Sequence, residues 1–469
     1  MEFLVGLVTY VLPFLVVLTV LVFVHEMGHY LVARWNGVRV EVFSIGFGPE
    51  LYGWTGKSGT RWKIASIPLG GYVKFFGDAN AASAADKDTV SSLSPDERAV
   101  SFHHKRLGQR AAIVAAGPIA NFIYAIVVLA GLFILYGQRI TPPEIGRVLP
   151  DGAGAAAGLV AGDVVLEVDG DAVTRFEDVN EAVFMNPDRT IPIVVRRGDE
   201  TLTLSVTPTE VETDPANGPV SLFGVIDVFP ANKAIIGAVR PDSPAEAAGF
   251  LAGDHIVRID NAPVDNFERL QDVVAASAGR ELQVDVVRNG EEVRLRVAAE
   301  RHTTETAGGV TVDRWLLGIE RAPRPLYRHG PLSALVEAAK VSVNMVDRTF
   351  EYVGQMIMGT RGTEELGGPL RIAHVSGQAA QGGVEQLILL SVLLSLNLGI
   401  INLFPVPVLD GGHLLFYACE AIRGKPLTER MQEYAFRVGL MMILGLTVFV
   451  TWNDLVNLRV VEYIAGLLS

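Results

Sequence analysis

Two histidines and a glutamate in the string Val24-His25-Glu26-Met27-Gly28-His29 have the types and spacing to do chemistry. On a helix His25 and His29, four residues apart, stack on one face with converging ring nitrogens, and Glu26 sits beside them. Two neutral imidazoles supply two of the three protein ligands of a catalytic zinc ion, whose open position holds a water with its pKa lowered to about 7. The glutamate is not a ligand. Its task is to take the proton from that water as it attacks a carbonyl and to pass it to the leaving amine. The bland alternative is a helix end where charged residues meet lipid headgroups. Ionisable groups at a membrane span cost about 2.5 to 3.5 kcal/mol each on insertion scales, which favours a functional reading. The third ligand has to come from elsewhere in the chain.

From Phe3 to Val24 the phenol of Tyr10 is the only ionisable side chain, which is the composition of a transmembrane helix of roughly 20 residues. The stretch lacks a basic n-region and a small-residue cleavage site, so it is expected to stay as a span rather than act as a cleaved signal. Across 469 residues, 49% are hydrophobic and 19% charged, with mean hydropathy +0.33, a membrane protein's balance around an ordinary soluble middle. A net charge of -13 argues against nucleic acid as a partner. The single cysteine, Cys419, excludes an internal disulfide and any cysteine-based zinc site.

After the first span (1-36), the loop 37-110 is dense in Lys and Arg and should be cytoplasmic. Within it Ser44 to Pro49 and Trp62 to Val73 read as glycine-punctuated strands. They form either a hairpin dipping toward the site or a small cytoplasmic sheet. Ala79 to Ser94 is small, polar and expected to be mobile. A second span (111-137) contains Gly117-Pro118-Ile119-Ala120-Asn121, with Asn121 facing the bundle, either for the site or as a plain interhelical hydrogen bond. Region 322-383 holds an amphipathic helix from Gly330 to about Met358, on the membrane surface or on the soluble middle, and then a glycine-rich linker.

The third span (384-410) ends in Asn402-Leu403-Phe404-Pro405-Val406-Pro407-Val408-Leu409-Asp410-Gly411-Gly412-His413. Two prolines one residue apart cannot stay in an unbroken helix, so the helix opens and sets Asp410 at the break. Spans one and three run in the same direction, so His25, His29 and Asp410 can meet. Asp410 is the expected third ligand, and His413, the better zinc ligand by type, is its competitor. A cytoplasmic loop (411-430), a fourth span (431-452) and a tail (453-469) complete the chain.

The soluble middle repeats at an offset of about 91 residues. Ala156-Ala157-Gly158-Leu159-Val160-Ala161-Gly162-Asp163 matches Ala247-Ala248-Gly249-Phe250-Leu251-Ala252-Gly253-Asp254, and Phe176-Glu177 matches Phe267-Glu268. Each copy continues in β-type alternation and closes on Leu222-Phe223-Gly224-Val225 or Leu316-Leu317-Gly318-Ile319. Both copies (144-228 and 229-321) resemble PDZ domains of the circularly permuted bacterial order, whose exposed strand accepts an extended peptide. The second copy has Ser243-Pro244-Ala245 at the ridge before that strand, and the first has Gly152-Ala153-Gly154. The two domains either bind peptides or only shape the entrance.

Taken together, the H-E-x-x-H, the G-P-x-x-N, the paired PDZ-like copies and the N-x-x-P-x-P-x-L-D-G string resemble the site-2 protease family of intramembrane zinc metalloproteases, of the bacterial RseP type. The resemblance implies an α-helical membrane protein with four transmembrane helices, two periplasmic PDZ domains and a membrane-associated β-hairpin. It implies His25, His29 and Asp410 as Zn²⁺ ligands and Glu26 as catalytic base. Asn402, Pro405, Pro407 and the hairpin residues Gly46, Phe47 and Gly48 would hold the substrate, and Leu222 to Val225 with Leu316 to Ile319 would form the peptide grooves. Implied substrates are single-span membrane proteins, such as a truncated anti-sigma factor, and signal peptide remnants, met among membrane lipids. The implied location is the bacterial inner membrane, with PDZ domains and both termini periplasmic and the site near the cytoplasmic side. Two rivals stand beside this: a catalytically inactive zinc-binding scaffold presenting PDZ domains, and a transporter, against which the absence of inverted repeats argues.

Overall fold

The computed structural model describes residues 6–78, 93–212, 222–231, 233–264, 266–305, 311–358, 367–425 and 427–457. The chain divides into two compact units, one made of the segments before Gly137 and after Arg328, the other of Gly137–Arg328. Among the described residues four helices are long and apolar enough to cross a membrane: Val8–Trp35, Leu107–Leu135, Val384–Leu403 and Arg430–Val456.

In the first unit a π-helical turn, Leu7–Val11, leads into α1 (Leu12–Trp35), with Pro13 in the first turn, where a missing N–H costs little. The helix α2 (Leu107–Leu135) keeps Pro118 in its interior. These two helices touch at Gly28, where a β-carbon would fall 2.2 Å from the carbonyl oxygen of Ala116, so only glycine permits the approach. Between them run β1 (Val40–Thr55) and β2 (Arg61–Phe75). Strand β1 bends at Gly46 and Gly48, both at φ +88°. Its first half lies beside the last residues of β2, Phe43 opposite Val73 and Ile45 opposite Gly71, and its second half beside the first, Trp54 opposite Trp62. Phe43 stacks on Trp62 at 4.5 Å and is buried with Ala33, Val73, Phe75, Phe102, Ile113 and Val114, which fixes the hairpin to both helices. Residues 79–92, expected to be mobile, lie outside the described residues.

The amphipathic stretch forms α3 (Pro331–Ile357). Ala334 and Ala338 pack into one buried cluster with Leu129, Phe133, Val392 and Leu396 of α2 and α5 (Val384–Leu403). The expected linker is helical over α4 (Pro369–Gln381). The reason is long-range: Asp454, buried on the last helix, accepts the N–H groups of Gly368, Leu370 and Arg371 at 2.8 to 3.1 Å and so caps α4. The expected loop 411-430 is likewise mostly helix, α6 (Asp410–Arg423), closed by Gly424 at φ +69°. The last helix, α7 (Glu429–Asn457), outruns the span read from its apolar run, and residues 458–469 lie outside the described residues.

In the second unit the repeat is physical. Each copy has a four-stranded sheet: Asp171–Ala172, Val164–Val168, Ile191–Arg197 and Glu200–Val206 in one, Ala262–Pro263, His255–Ile259, Glu281–Arg288 and Glu291–Ala298 in the other. The buried residues correspond at the same spacing, Val165 with Ile256, Val168 with Ile259, Phe176 with Phe267, Val195 with Val286. So does an ion pair made by a buried aspartate, Asp163 with Arg197 and Asp254 with Arg288, each bonded through two guanidinium nitrogens at 2.7 to 2.8 Å.

One sequence expectation changes here. Leu222–Val225 pairs with Thr209–Glu212, Val225 opposite Thr209, whereas Glu300 lies opposite Leu316 in the strand Thr311–Leu316. The counterpart of Leu222–Val225 is therefore Asp313 to Leu316. Leu316-Leu317-Gly318-Ile319 is not one strand, since Leu317 and Gly318 fall between two. Its apolar-Gly-apolar pattern matched by composition and not by pairing. The altered ridge of the first copy also has a steric partner. A β-carbon on Gly152 would lie 2.4 Å from the Asp227 Cβ, and one on Gly318, the counterpart of Asp227, would lie 2.2 Å from the Ser243 Cβ. Each copy thus holds one glycine and one larger residue at this contact, with the sides exchanged. Gly152→Ser should destabilise the first copy by about 1–3 kcal/mol through overpacking, and Asp227→Gly added to it should restore most of the loss. Limited proteolysis of the full chain during thermal unfolding checks this, and a double variant no better than the single one would refute the exchange.

Candidate metal centre and active site

The end of α1 and the break after α5 bring the expected ligands together. His25 Nε2 lies 3.1 Å from Asp410 Oδ2, His29 Nε2 3.5 Å from the same oxygen, and the two ring nitrogens are 3.2 Å apart. A tetrahedral zinc ion with bonds of about 2.0–2.1 Å sets its ligand atoms about 3.3 Å from one another, so this triangle has the right size. Asp410 Oδ2 is buried without a hydrogen-bond partner, as a ligand atom aimed at an ion would be. The donor set of two imidazoles and one carboxylate fits zinc. His413 is not in the group. Its ring packs against Phe416 and Phe436, and burial holds it below the ordinary histidine pKa and therefore neutral at pH 7.

Local backbone explains why Asp410 stands where it does. The helix α5 stops at Leu403, and Phe404 turns extended ahead of Pro405. Val408 sits at φ +95°, a rare and strained conformation for a β-branched residue, of the kind that clusters at functional sites. Asp410 then opens α6 directly behind this turn. The two glycines after it are steric necessities: a β-carbon on Gly411 would lie 2.2 Å from the Phe404 oxygen, and one on Gly412 2.5 Å from that of Val406.

The triangle opens into a cavity of about 210 Å³ lined by Glu26, Tyr72, Val73, Asn402, Val408 and Tyr417 among others. Burial pushes the Tyr417 phenol up to about 12, so it is a neutral donor at any working pH. Asn402 is thus brought to the site, while Pro405 and Pro407 shape the break beneath it; Pro407 touches Gly439 of α7. Gly46, Phe47 and Gly48 do not line the cavity. Phe47 stacks on Tyr72 instead, and residues 71–75 of β2 form the wall. Gly71 lies against Glu26 and Val22 with no room for a side chain. Sequence reading took Trp62 to Val73 as a strand but did not assign its end to the site, although Gly70-Gly71 ahead of Tyr72-Val73 marks a backbone meant for close approach.

The motif on α2 also finds its place. A β-carbon on Gly117 would lie 2.3 Å from His29 Nε2 and 2.8 Å from His25 Cε1, so this glycine makes the space both imidazoles occupy. His29 Nδ1 donates to the carbonyl of Ile113 at 2.9 Å, so a neutral His29 ring turns the lone pair of Nε2 toward the triangle. Gly117→Ala should therefore displace the imidazoles and lower bound zinc well below one equivalent in purified protein, measured by metal analysis, with the helices still folded by circular dichroism. Full zinc occupancy in that variant would contradict the packing described.

Comparison with known proteins agrees with the centre. The family model described as Peptidase family M50 matches residues 13–446. A protein of Agrobacterium fabrum carrying a zinc metalloprotease name is 40% identical over 452 residues, 96% of each chain, and one of Rhizobium meliloti is 37% identical over 95% of this chain and 96% of its own. The regulator of sigma-E protease RseP of Salmonella typhimurium is 34% identical over 93% of this chain and 96% of its own. A PDZ domain structure from Listeria monocytogenes aligns with 20% of this chain and 90% of its own at 20% identity and a TM-score of 0.16, too low to argue from. With the family matched over most of its length, the chain belongs to peptidase family M50, the site-2 proteases, and is a zinc metalloprotease.

Proposed function

We propose that the protein hydrolyses peptide bonds within the membrane segments of single-span proteins, using His25, His29 and Asp410 to hold zinc and Glu26 as the base. The observation that carries this reading is the ligand triangle at the ends of two apolar helices, with Glu26 and the 71–75 strand in the same cavity. Zinc bound there would polarise a carbonyl and acidify a water. Glu26 accepts the proton of the attacking water and delivers it to the departing amide nitrogen. A membrane helix has all its amides satisfied internally and must be unwound before it can be cut. The 71–75 strand pairs on one side with residues 40–45 and pairs with no other strand among the described residues, so its second edge can take an opened substrate backbone as an added strand. Asn402, at the end of α5, would hold that backbone.

The domain and topology reading follows from the same resemblance. The two copies in Gly137–Arg328 are read as circularly permuted PDZ domains on the periplasmic side of a bacterial inner membrane, with both termini there and the site near the cytoplasmic face. The second copy has a cavity beside Phe267, Leu270, Val274, Trp315 and Leu317 that suits an extended peptide. Substrates of this class are an anti-sigma factor already shortened outside the membrane and signal peptide remnants, a reading in keeping with the sigma-regulator name of the Salmonella relative.

Glu26→Gln should keep zinc bound and lower cleavage of a model single-span substrate by at least about 10²-fold, whereas Asp410→Ala should lose both zinc and cleavage. Unchanged cleavage by Glu26→Gln removes the base and its mechanism. A zinc-loaded wild type that cuts no single-span substrate favours the inactive scaffold.

A further inference from the structure

Asn121 is fully buried; its side-chain nitrogen lies 3.1 Å from Nδ1 of His25, and its side-chain oxygen has no hydrogen-bond partner. The oxygen and nitrogen of an amide have nearly the same shape, so the chemistry of the neighbour decides which of them faces it. With the nitrogen turned to the ring, Nδ1 must accept and the single proton of a neutral imidazole must sit on Nε2. That nitrogen is the one directed at Asp410 and His29, where a lone pair is required to bind an ion. A ligating His25 instead carries its proton on Nδ1 and needs an acceptor there.

We propose that Asn121 is a positioning residue whose side-chain oxygen accepts from His25 Nδ1–H, fixing the tautomer in which Nε2 is free for zinc. The inference rests on the reading of His25 as a ligand. It gives the two histidines matching supports from one helix. Ile113, Gly117 and Asn121 lie at successive fourth positions of α2 and so on one face. The first offers a carbonyl to His29, the second leaves the space, and the third offers its amide to His25. The backbone of Asn121 is itself held, since Ser395 of α5 donates its hydroxyl to the Asn121 carbonyl at 2.9 Å. Asn121 thereby ties the helix carrying the break that presents Asp410 to the ring of a histidine on α1.

The test is zinc affinity of the full chain in detergent, by competition with a chromophoric chelator, for Asn121→Leu, Asn121→Asp and His25→Ala. The Leu side chain is similar in size and has no acceptor, so zinc binding should weaken about 10–100-fold. The Asp side chain only accepts, so binding should stay within a few fold of wild type. Of the two Asn121 variants, only the Leu variant should change the visible spectrum of the cobalt-loaded protein. Wild-type zinc affinity in Asn121→Leu overturns the proposal, as does a folded Asn121→Asp that loses zinc as fully as the Leu variant. Failure of both variants to fold in the absence of zinc would make Asn121 a packing residue and overturn it too. His25→Ala with unchanged affinity would instead sink the ligand reading beneath it, and that outcome is separate from the others.

Discussion

Side-chain atoms of His25, His29 and Asp410 come within about 3.5 Å of one another although they belong to α1 and to the start of α6, more than 370 residues apart in the chain, and the rest of the first unit serves that arrangement. Two imidazoles on one helical face come without special effort. The carboxylate does not, because an unbroken α5 would carry its residue past the site. The proline break, the strained Val408 and the two glycines that let α6 start against the broken end together set Asp410 beside the rings. Burying a carboxylate and two imidazoles in such a place is costly unless something positive is shared among them. Zinc meets that requirement, and the size of the triangle suits it.

Support for the triangle comes from the second span. The stripe Ile113, Gly117, Asn121 converts one face of α2 into a mould for two rings, and Gly28 brings that face close enough to be used. Such surrounding contacts fix ring orientation as firmly as the ligands themselves fix the ion. The β-hairpin is anchored to the same helices by Phe43 and Trp62, so the strand lining the cavity and Glu26 beside it are referenced to one core.

Much of this was legible in the residues. His25, Glu26 and His29 follow from helical spacing, and Asp410 from the rule that two closely spaced prolines cannot remain helical. The tandem copies follow from self-similarity. What could not be read depends on contacts made across the chain. Helix α4 looks like a glycine-rich connector until the Asp454 carboxylate, more than 80 residues later, caps it. Helix α6 begins with two glycines that local propensity counts against, and only the carbonyls of Phe404 and Val406 show why no side chain fits. The strand ending at Val73 is legible, but that residues 71–75 rather than Gly46 to Gly48 line the cavity depends on which wall the folded hairpin presents. The mispaired Leu316 to Ile319 shows the limit of matching short apolar strings without strand register.

The exchanged glycine contact of the tandem copies has a bearing on how the nascent chain sorts itself. Two neighbouring modules of like fold can trade segments while they are forming, a recurring failure of repeat proteins. A hybrid with the second ridge on the first closing segment would force Ser243 onto Asp227, and the opposite hybrid would set Gly152 beside Gly318 and leave a void. One clashes and the other is hollow, so the chain carries a steric key that discourages the wrong partner while each copy is still finding its own.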